Sequence, residues 1–316
     1  MTEKQLPYLV LAYYYFTAIN DPHEEVRKHK EFFADRDVTS RIYISSEGIN
    51  GQMSASRAAA KEYQEWMSAR PEFAGIVFKE HEWHEHAFPR VCVKYRKQLV
   101  AIDKEYDLAN GGEHISPEQW KAMLESEDRP LMIDVRNDYE SEVGHFEGAE
   151  LPKCNTFREF DHYTDELCQR TDPKNTPVMM YCTGGIRCEL YSAVLKDKGF
   201  DKVYQLDGGV INYGLKAGSK HWLGKLFVFD DRMTVPISEE NTPTIGKCHL
   251  CGDESEDYYN CANMDCNHLF LCCSACLEKN KGCCCDECTE APRIRPYSQQ
   301  NPHKPFRKYY NYFERK

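Results

Sequence analysis

The 316-residue chain has no run of about 20 uninterrupted apolar residues, which excludes a membrane-spanning helix. It also lacks any surplus of positive charge: 40 Lys and Arg stand against 51 Asp and Glu, a formal net charge of −11. A polyanion is repelled by such a chain at long range. Indiscriminate nucleic-acid binding through bulk electrostatics is thereby excluded, although a local basic patch is not. No dinucleotide or flavin fingerprint, haem-attachment motif or two-histidine, one-carboxylate triad can be picked out, so no organic cofactor and no familiar oxygen-activating centre is readable. The one dense histidine stretch holds His81, His84 and His86. As a strand it would put 84 and 86 on one face and 81 on the other, which reads as a solvated edge.

The segment from Leu6 to Phe16 is apolar but short and rich in tyrosine, without a basic leader or a small-residue cleavage site. It reads as a first β-strand rather than a signal peptide, and the expected location is the cytoplasm. In a reducing compartment the 16 cysteines point to metal binding or catalysis rather than to a disulfide framework. The length accommodates two or three domains.

Cys182 to Cys188, CTGGIRC, is the most informative stretch. It follows the strand-like run Pro177-Val-Met-Met-Tyr181 and leads into a helix-like run from Cys188 to Lys198. A cysteine between a strand end and a helix start meets free backbone N–H groups and the positive end of the helix dipole, both of which stabilise a thiolate. Thr183, Gly184, Gly185 and Ile186 form the rest of the loop, and the two glycines let the backbone curl into an anion nest. Arg187 adds a fixed positive charge. Cys188 reads either as a resolving thiol or as a packing residue of the helix. The bland alternative is a glycine-rich turn with an inert cysteine.

Four residues separate Cys182 from Arg187, one fewer than in the phosphate-cradling loop of cysteine phosphatases. The smaller ring suits a sulfur-sized group, and the loop resembles that of the rhodanese family, whose cysteine carries a persulfide. Leu131-Met-Ile-Asp-Val-Arg136, Asn137-Asp-Tyr-Glu140 and Gly144-His-Phe-Glu-Gly-Ala149 resemble the first rhodanese signature, and Gly199 to Gly209 the last. Asp134 and Arg136 are read as charges that pin loops near the site. The expected rhodanese-like domain spans 114–222, with helix 116–126, strand 131–135, helix 155–170, strand 177–182, helix 188–198, strand 202–206 and helix 209–217. That alternation implies a parallel sheet covered by helices, with Cys182 at the carboxyl end of a central strand.

Upstream, residues 1–110 alternate in the order βαββαβ with one additional strand-like piece, which predicts a ferredoxin-like α+β sandwich. Between its central strands Ser45-Ser-Glu-Gly-Ile-Asn-Gly51 reads as a polar turn. Arg90, Lys94, Arg96 and Lys97 gather on a later strand-like segment as a candidate nucleic-acid-binding patch.

Downstream, a module over 240–290 holds 11 of the 16 cysteines. Its pairs are Cys248 and Cys251, Cys261 and Cys266, Cys273 and Cys276, and Cys285 and Cys288, with Cys272, Cys283 and Cys284 left over. Four pairs suffice for two tetrahedral thiolate sites, with structural Zn2+ as the expected metal. The spacing leaves a cross-braced and a sequential pairing open, as well as reduced thiols or disulfides without metal. A tail over 291–316 interleaves basic and aromatic residues, which suits either stacking on unpaired bases or docking of the aromatics on the protein's own surface.

Taken together, the EGING segment, the CTGGIRCE loop and the cysteine-rich extension resemble the bacterial rhodanese-related tRNA uridine hydroxylases over essentially the whole chain. The resemblance implies oxygen-dependent hydroxylation of uridine 34 of tRNA at carbon 5, giving 5-hydroxyuridine. It also implies Cys182 as the catalytic, persulfide-type residue, molecular oxygen as co-substrate and the tRNA anticodon region as partner. A sulfurtransferase charged by a sulfur donor and a non-catalytic binding scaffold are the competing readings.

Overall fold

The computed structural model describes residues 5–102, 104 and 106–296. The chain divides into two compact units, Met1–Asp107 and Leu108–Lys316. In the first unit β1 (Tyr8–Phe16), α1 (Pro22–Phe33), β2 (Val38–Ser45), β3 (Gly48–Ser56), α2 (Arg57–Ser68) and β4 (Lys79–Trp83) follow the expected βαββαβ order. The extra piece is β5 (Val93–Tyr95), and the sheet order is β4-β1-β3-β2-β5. Only β5 pairs in parallel, with β2. Period-two burial of Leu11, Tyr13, Ile42, Ile44, Ile49 and Met53 gives the sheet one apolar face, which packs on Tyr63 and Met67 of α2. Asp21 caps α1 through the N–H groups of His23 and Glu24, and Ser56 caps α2 through that of Ala59.

The ladder corrects the expected turn, while β4 lies at the sheet edge as expected. The turn is only Ser46 and Glu47, because Ile49 is fully buried and draws Gly48 to Gly51 into the ladder. Gly51 leaves room for the ring of Tyr13, which a Cβ would meet at 2.2 Å. The histidine stretch is a strand only to Trp83, beyond which His86 is held by Asp37 at 2.7 Å.

The second unit contains β6 (Glu113–Ile115), α3 (Pro117–Leu124), β7 (Leu131–Asp134), α4 (Asp138–Ser141), β8 (Gly144–Phe146), α5 (Phe160–Arg170), β9 (Val178–Tyr181), α6 (Ile186–Asp197), β10 (Val203–Leu206) and α7 (Gly209–Ala217). Strands β6-β10-β9-β7 form a parallel sheet, and all four residues of β9 are buried, as a sheet covered on both faces requires. Ser116 and Gln119 form a capping box at the start of α3, with Pro117 in the first turn. On one face Met179 and Tyr181 pack with Trp120 of α3 and Val210 and Tyr213 of α7. Val178 and Met180 point the other way, where α6 packs on β9 and β10.

Beyond 222, β11 (Trp222–Gly224) pairs with β8, and β12 (Leu226–Phe227) pairs with β13 (Thr234–Val235). Val228, Val235 and Ile237 join the apolar cluster of Trp120 and Tyr213, so the rhodanese-like core continues past Trp222. The cysteine module adds β14 (Tyr258–Asn260), β15 (Leu269–Leu271), α8 (Ser274–Lys279) and α9 (Asp286–Thr289). Among the described residues no helix is long and apolar enough to cross a membrane.

Candidate thiolate site and cysteine clusters

Cys182 follows directly on β9, and α6 begins four residues later. Gly185 carries the reversal at φ +107°, a conformation an L side chain rarely adopts, and its N–H donates to Cys182 Sγ at 3.1 Å. Gly184 differs from expectation: a Cβ there would meet open space, so its lack of a side chain is not what shapes the nest. The loop is fixed from below by α7, whose Val210 and Ile211 N–H groups donate to the carbonyls of Cys182 and Thr183 at 3.0 and 3.1 Å.

Cys182 is fully buried. Burial alone would push its thiol up, but the Cys188 thiol, the Arg187 charge and the N–H groups of Cys188 and Gly185 outweigh it and hold the pKa down to about 5. At neutral pH the sulfur is a thiolate. Burial and the neighbouring thiolate push Cys188 the opposite way, so it stays a neutral donor to Cys182.

Arg187 does not point its fork into the nest. Its Nη1 and Nη2 donate to Glu140 Oε2 at 2.5 Å and Oε1 at 2.8 Å, and Nη2 also reaches Thr183 Oγ1 at 3.2 Å. Thr183 in turn donates to Glu140 at 3.0 Å. Burial would raise the Glu140 carboxyl, yet Arg187 and Arg136 hold it below its ordinary value. Glu140 is the site residue that sequence reasoning missed: it stands inside the quoted signature, but nothing local signals a partner 47 positions away.

Asp134 and Arg136 are buried and bonded to each other at 2.8 and 2.5 Å. Arg136 donates onward to the carbonyls of Glu140 at 3.2 Å and Gly144 at 2.6 Å, and Tyr181 donates to Asp134 at 2.8 Å. The pair therefore fixes the segment that presents Glu140 to Arg187. Phe229 lies against the Arg187 guanidinium at 5.8 Å, and Tyr258 of β14 donates to the carbonyl of Tyr139, next to Glu140. The cysteine module is thus tied to the carboxylate that anchors the loop arginine.

In that module the sulfurs of Cys248, Cys251, Cys273 and Cys276 converge, as do those of Cys261, Cys266, Cys284 and Cys288, each set within 4.8 Å. The first and third pairs share a site, which is the cross-braced order. Cys284 stands where the spacing pointed to Cys285, because Cys285 caps α9 in an extended conformation. The Cys284 sulfur lies 3.7 Å from Cys266 and 4.0 Å from Cys288, and Cys251 lies 3.7 Å from Cys273. Four sulfurs around an ion at about 2.3 Å stand about 3.8 Å apart, so each cluster can hold a tetrahedral metal ion.

Of the candidate RNA-binding residues, Arg90, Lys94, Arg96 and Lys97 are exposed in the first unit, on and around β5. Arg293 pairs with Asp265 at 2.8 Å, while buried Arg295 donates to the Cys261 carbonyl at 2.7 Å. Arg295 is therefore a brace of the module rather than a contact for nucleic acid. The remainder of the basic aromatic tail, 297–316, lies outside the described residues.

A buried thiolate at the carboxyl end of a central parallel strand, cradled before a helix, defines a rhodanese-type thiol domain. The description Rhodanese-like domain matches residues 116–215, preceded by a UPF0176 acylphosphatase like domain over 8–99 and followed by Rhodanase C-terminal over 223–289. The chain is 62% identical over 307 residues to the tRNA uridine(34) hydroxylase of Protochlamydia amoebophila, covering 97% of this chain and 96% of that one. It is 58% identical over 303 residues to the tRNA uridine(34) hydroxylase of Chlamydia muridarum, covering 95% and 92%. The chain belongs to the tRNA uridine(34) hydroxylase family.

Proposed function

We propose that this chain hydroxylates uridine 34 of tRNA at carbon 5, giving 5-hydroxyuridine, with molecular oxygen as co-substrate and Cys182 as the catalytic residue. The carrying observation is a thiolate held down to about 5 inside a chain 62% identical to a tRNA uridine(34) hydroxylase over 97% of its length. Turning a C–H into a C–OH with molecular oxygen sends one oxygen atom to the base and the other to water, so turnover also consumes a reductant.

Within this reading, the loop from Thr183 to Arg187 keeps the Cys182 sulfur ionised and nucleophilic, able to take an oxygen atom or a sulfane sulfur from a donor. Asp134 and Arg136 position Glu140, and Glu140 positions Arg187. Cys188 supplies a proton donor to the thiolate and is placed to resolve an oxidised or persulfidated Cys182. The two clusters hold structural Zn2+, and the donor set fits it: four thiolates at tetrahedral spacing in each. Zinc there supplies folding energy and no chemistry at the base. Arg90, Lys94, Arg96 and Lys97 meet the anticodon stem-loop backbone, and the enzyme works in the cytoplasm. A base reached at a buried sulfur must leave its stack, as other enzymes acting on nucleobases require.

Sulfur transfer from an anionic donor such as thiosulfate is the weaker reading, because both arms of the Arg187 fork are engaged by Glu140. The test supplies purified protein with unmodified tRNA, a reductant and isotopically heavy oxygen gas. Heavy oxygen in 5-hydroxyuridine with the wild type, and none with Cys182→Ala, is the expected result. Unmodified tRNA together with Cys182-dependent sulfur transfer would instead assign a sulfurtransferase.

A further inference from the structure

The sheet of the first unit has a second face that the thiolate chemistry does not use. Alternation puts Leu11, Ile42, Ile49 and Met53 under the helices, and hence Tyr14, Tyr43, Asn50 and Gln52 on the opposite side. One end of that side is covered by Trp83, Ala87 and Phe88 packed on Val10. Toward the other end the registers align two rows across the sheet. Lys94, Tyr43, Asn50 and Tyr14 stand opposite one another in the first, and Arg41, Gln52, Ala12 and Lys79 in the second.

Both rings have a cation beside them. The Arg96 guanidinium lies 4.8 Å from the Tyr43 ring centre, and the Lys79 ammonium 5.2 Å from that of Tyr14. Tyr14, Tyr43, Asn50, Gln52 and Arg41 are half-buried, and Lys94 and Arg96 are exposed. No strand position on this face is a carboxylate, in a chain that carries 51 Asp and Glu. Glu80 and Glu82 of β4 fall in register with Leu11 and Leu9, on the helix-covered face.

We propose that this face is a platform for single-stranded RNA, taking the unpaired nucleotides of the anticodon loop. Bases stack on Tyr43 and Tyr14, Asn50 and Gln52 hydrogen-bond to base edges, and Arg41, Lys94 and Arg96 meet phosphates. Every base offers a ring face for stacking, and an amide offers both a donor and an acceptor to its edge. A basic and aromatic face whose strand positions carry no carboxylate, on an otherwise acidic chain, suits a polyanion with exposed rings; the carboxylate of Asp37 is held by His86 at the covered end. The identity of the RNA rests on the proposed tRNA reaction; the stacking chemistry stands without it.

The experiment measures binding of a fluorescent, unmodified anticodon stem-loop to the full chain by anisotropy over a range of salt. Tyr43→Ala and Tyr14→Ala are each expected to weaken binding about ten-fold, with the salt slope unchanged, while Tyr43→Phe keeps affinity within about two-fold. Lys94→Ala is expected to lower the salt slope by about one. Crosslinks from a photoreactive uridine in the loop should map to β1, β2 or β3 of the wild type, a readout that needs no variant to fold. The proposal is overturned if the wild type does not bind the stem-loop, if folded tyrosine variants bind as the wild type does, or if crosslinks fall outside these strands. Binding that follows the tyrosines in a protein that forms no 5-hydroxyuridine would leave the platform standing and remove the proposed reaction. Hydroxylation with binding insensitive to the tyrosines would do the reverse.

Discussion

At the end of β9 a single thiolate is stabilised by fixed protein groups, whereas in the cysteine module eight thiols converge in two sets of four. Cys182 has a backbone N–H at 3.1 Å, the Arg187 charge and the Cys188 thiol. Those donors leave its sulfur able to form a new bond. The clustered sulfurs need a shared cation, and coordination would occupy the lone pairs that make a thiolate reactive. One residue type is thus reactive in one place and structural in the other, and the source of the compensating charge decides which.

The largest effect is expected from removing the cation. A strong chelator should strip metal from the module and unfold it, and Cys273→Ser should empty the first cluster alone, because structural zinc contributes on the order of 10 kcal/mol or more to such folds. Loss of amide protection over β14 and β15 together with loss of bound metal would be the signature. An apo module as protected as the holo one would break the comparison.

Next comes Glu140→Gln, which removes a fully buried carboxylate and leaves the largely enclosed Arg187 charged and half-paired. Breaking a buried pair on one side costs about 3–5 kcal/mol, to be read as a lower denaturation midpoint with the metal content unchanged.

The pH dependence is smaller and has a definite sign. The Cys182 thiol is lowered to about 5 when folded, against an ordinary value of about 8.5, so ionisation adds stability that is complete above the ordinary value and lost as pH falls toward 5. The stability gap between wild type and Cys182→Ser should therefore widen as pH rises from about 5 to about 8.5. The thiolate absorbance difference between them should appear with a midpoint near 5. A midpoint near 8.5 would show that the nest does not hold the charge.

The finest distinction is between neighbours. Cys284→Ser should cost the second cluster its metal, and Cys285→Ser should leave both metals bound, as measured by metal content per chain.

What was legible in the sequence follows the range over which the chemistry acts. The CTGGIRC loop could be read because strand end, nest and arginine lie within seven contiguous residues. The sandwich was readable from the alternation of β2 and the amphipathic run of α2, although Ile49 extended a ladder where a turn was expected. Glu140 was not readable as the arginine's partner, since the fold alone brings the two positions together. Cys285 fitted the usual spacing, but the backbone turns into α9 at that residue and carries Cys284 to the other sulfurs. Strand β6 was missed because only Ile115 of its three residues is buried, leaving no pattern to read.

The central claim is that the nest holds Cys182 as the thiolate that modifies tRNA. It is tested most directly by mass spectrometry of tRNA nucleosides from cells lacking the protein, complemented with wild type or with Cys182→Ala. The account predicts that 5-hydroxyuridine and its derivatives return with the wild type and stay absent with the variant at equal protein and metal levels. Full restoration by Cys182→Ala would contradict it.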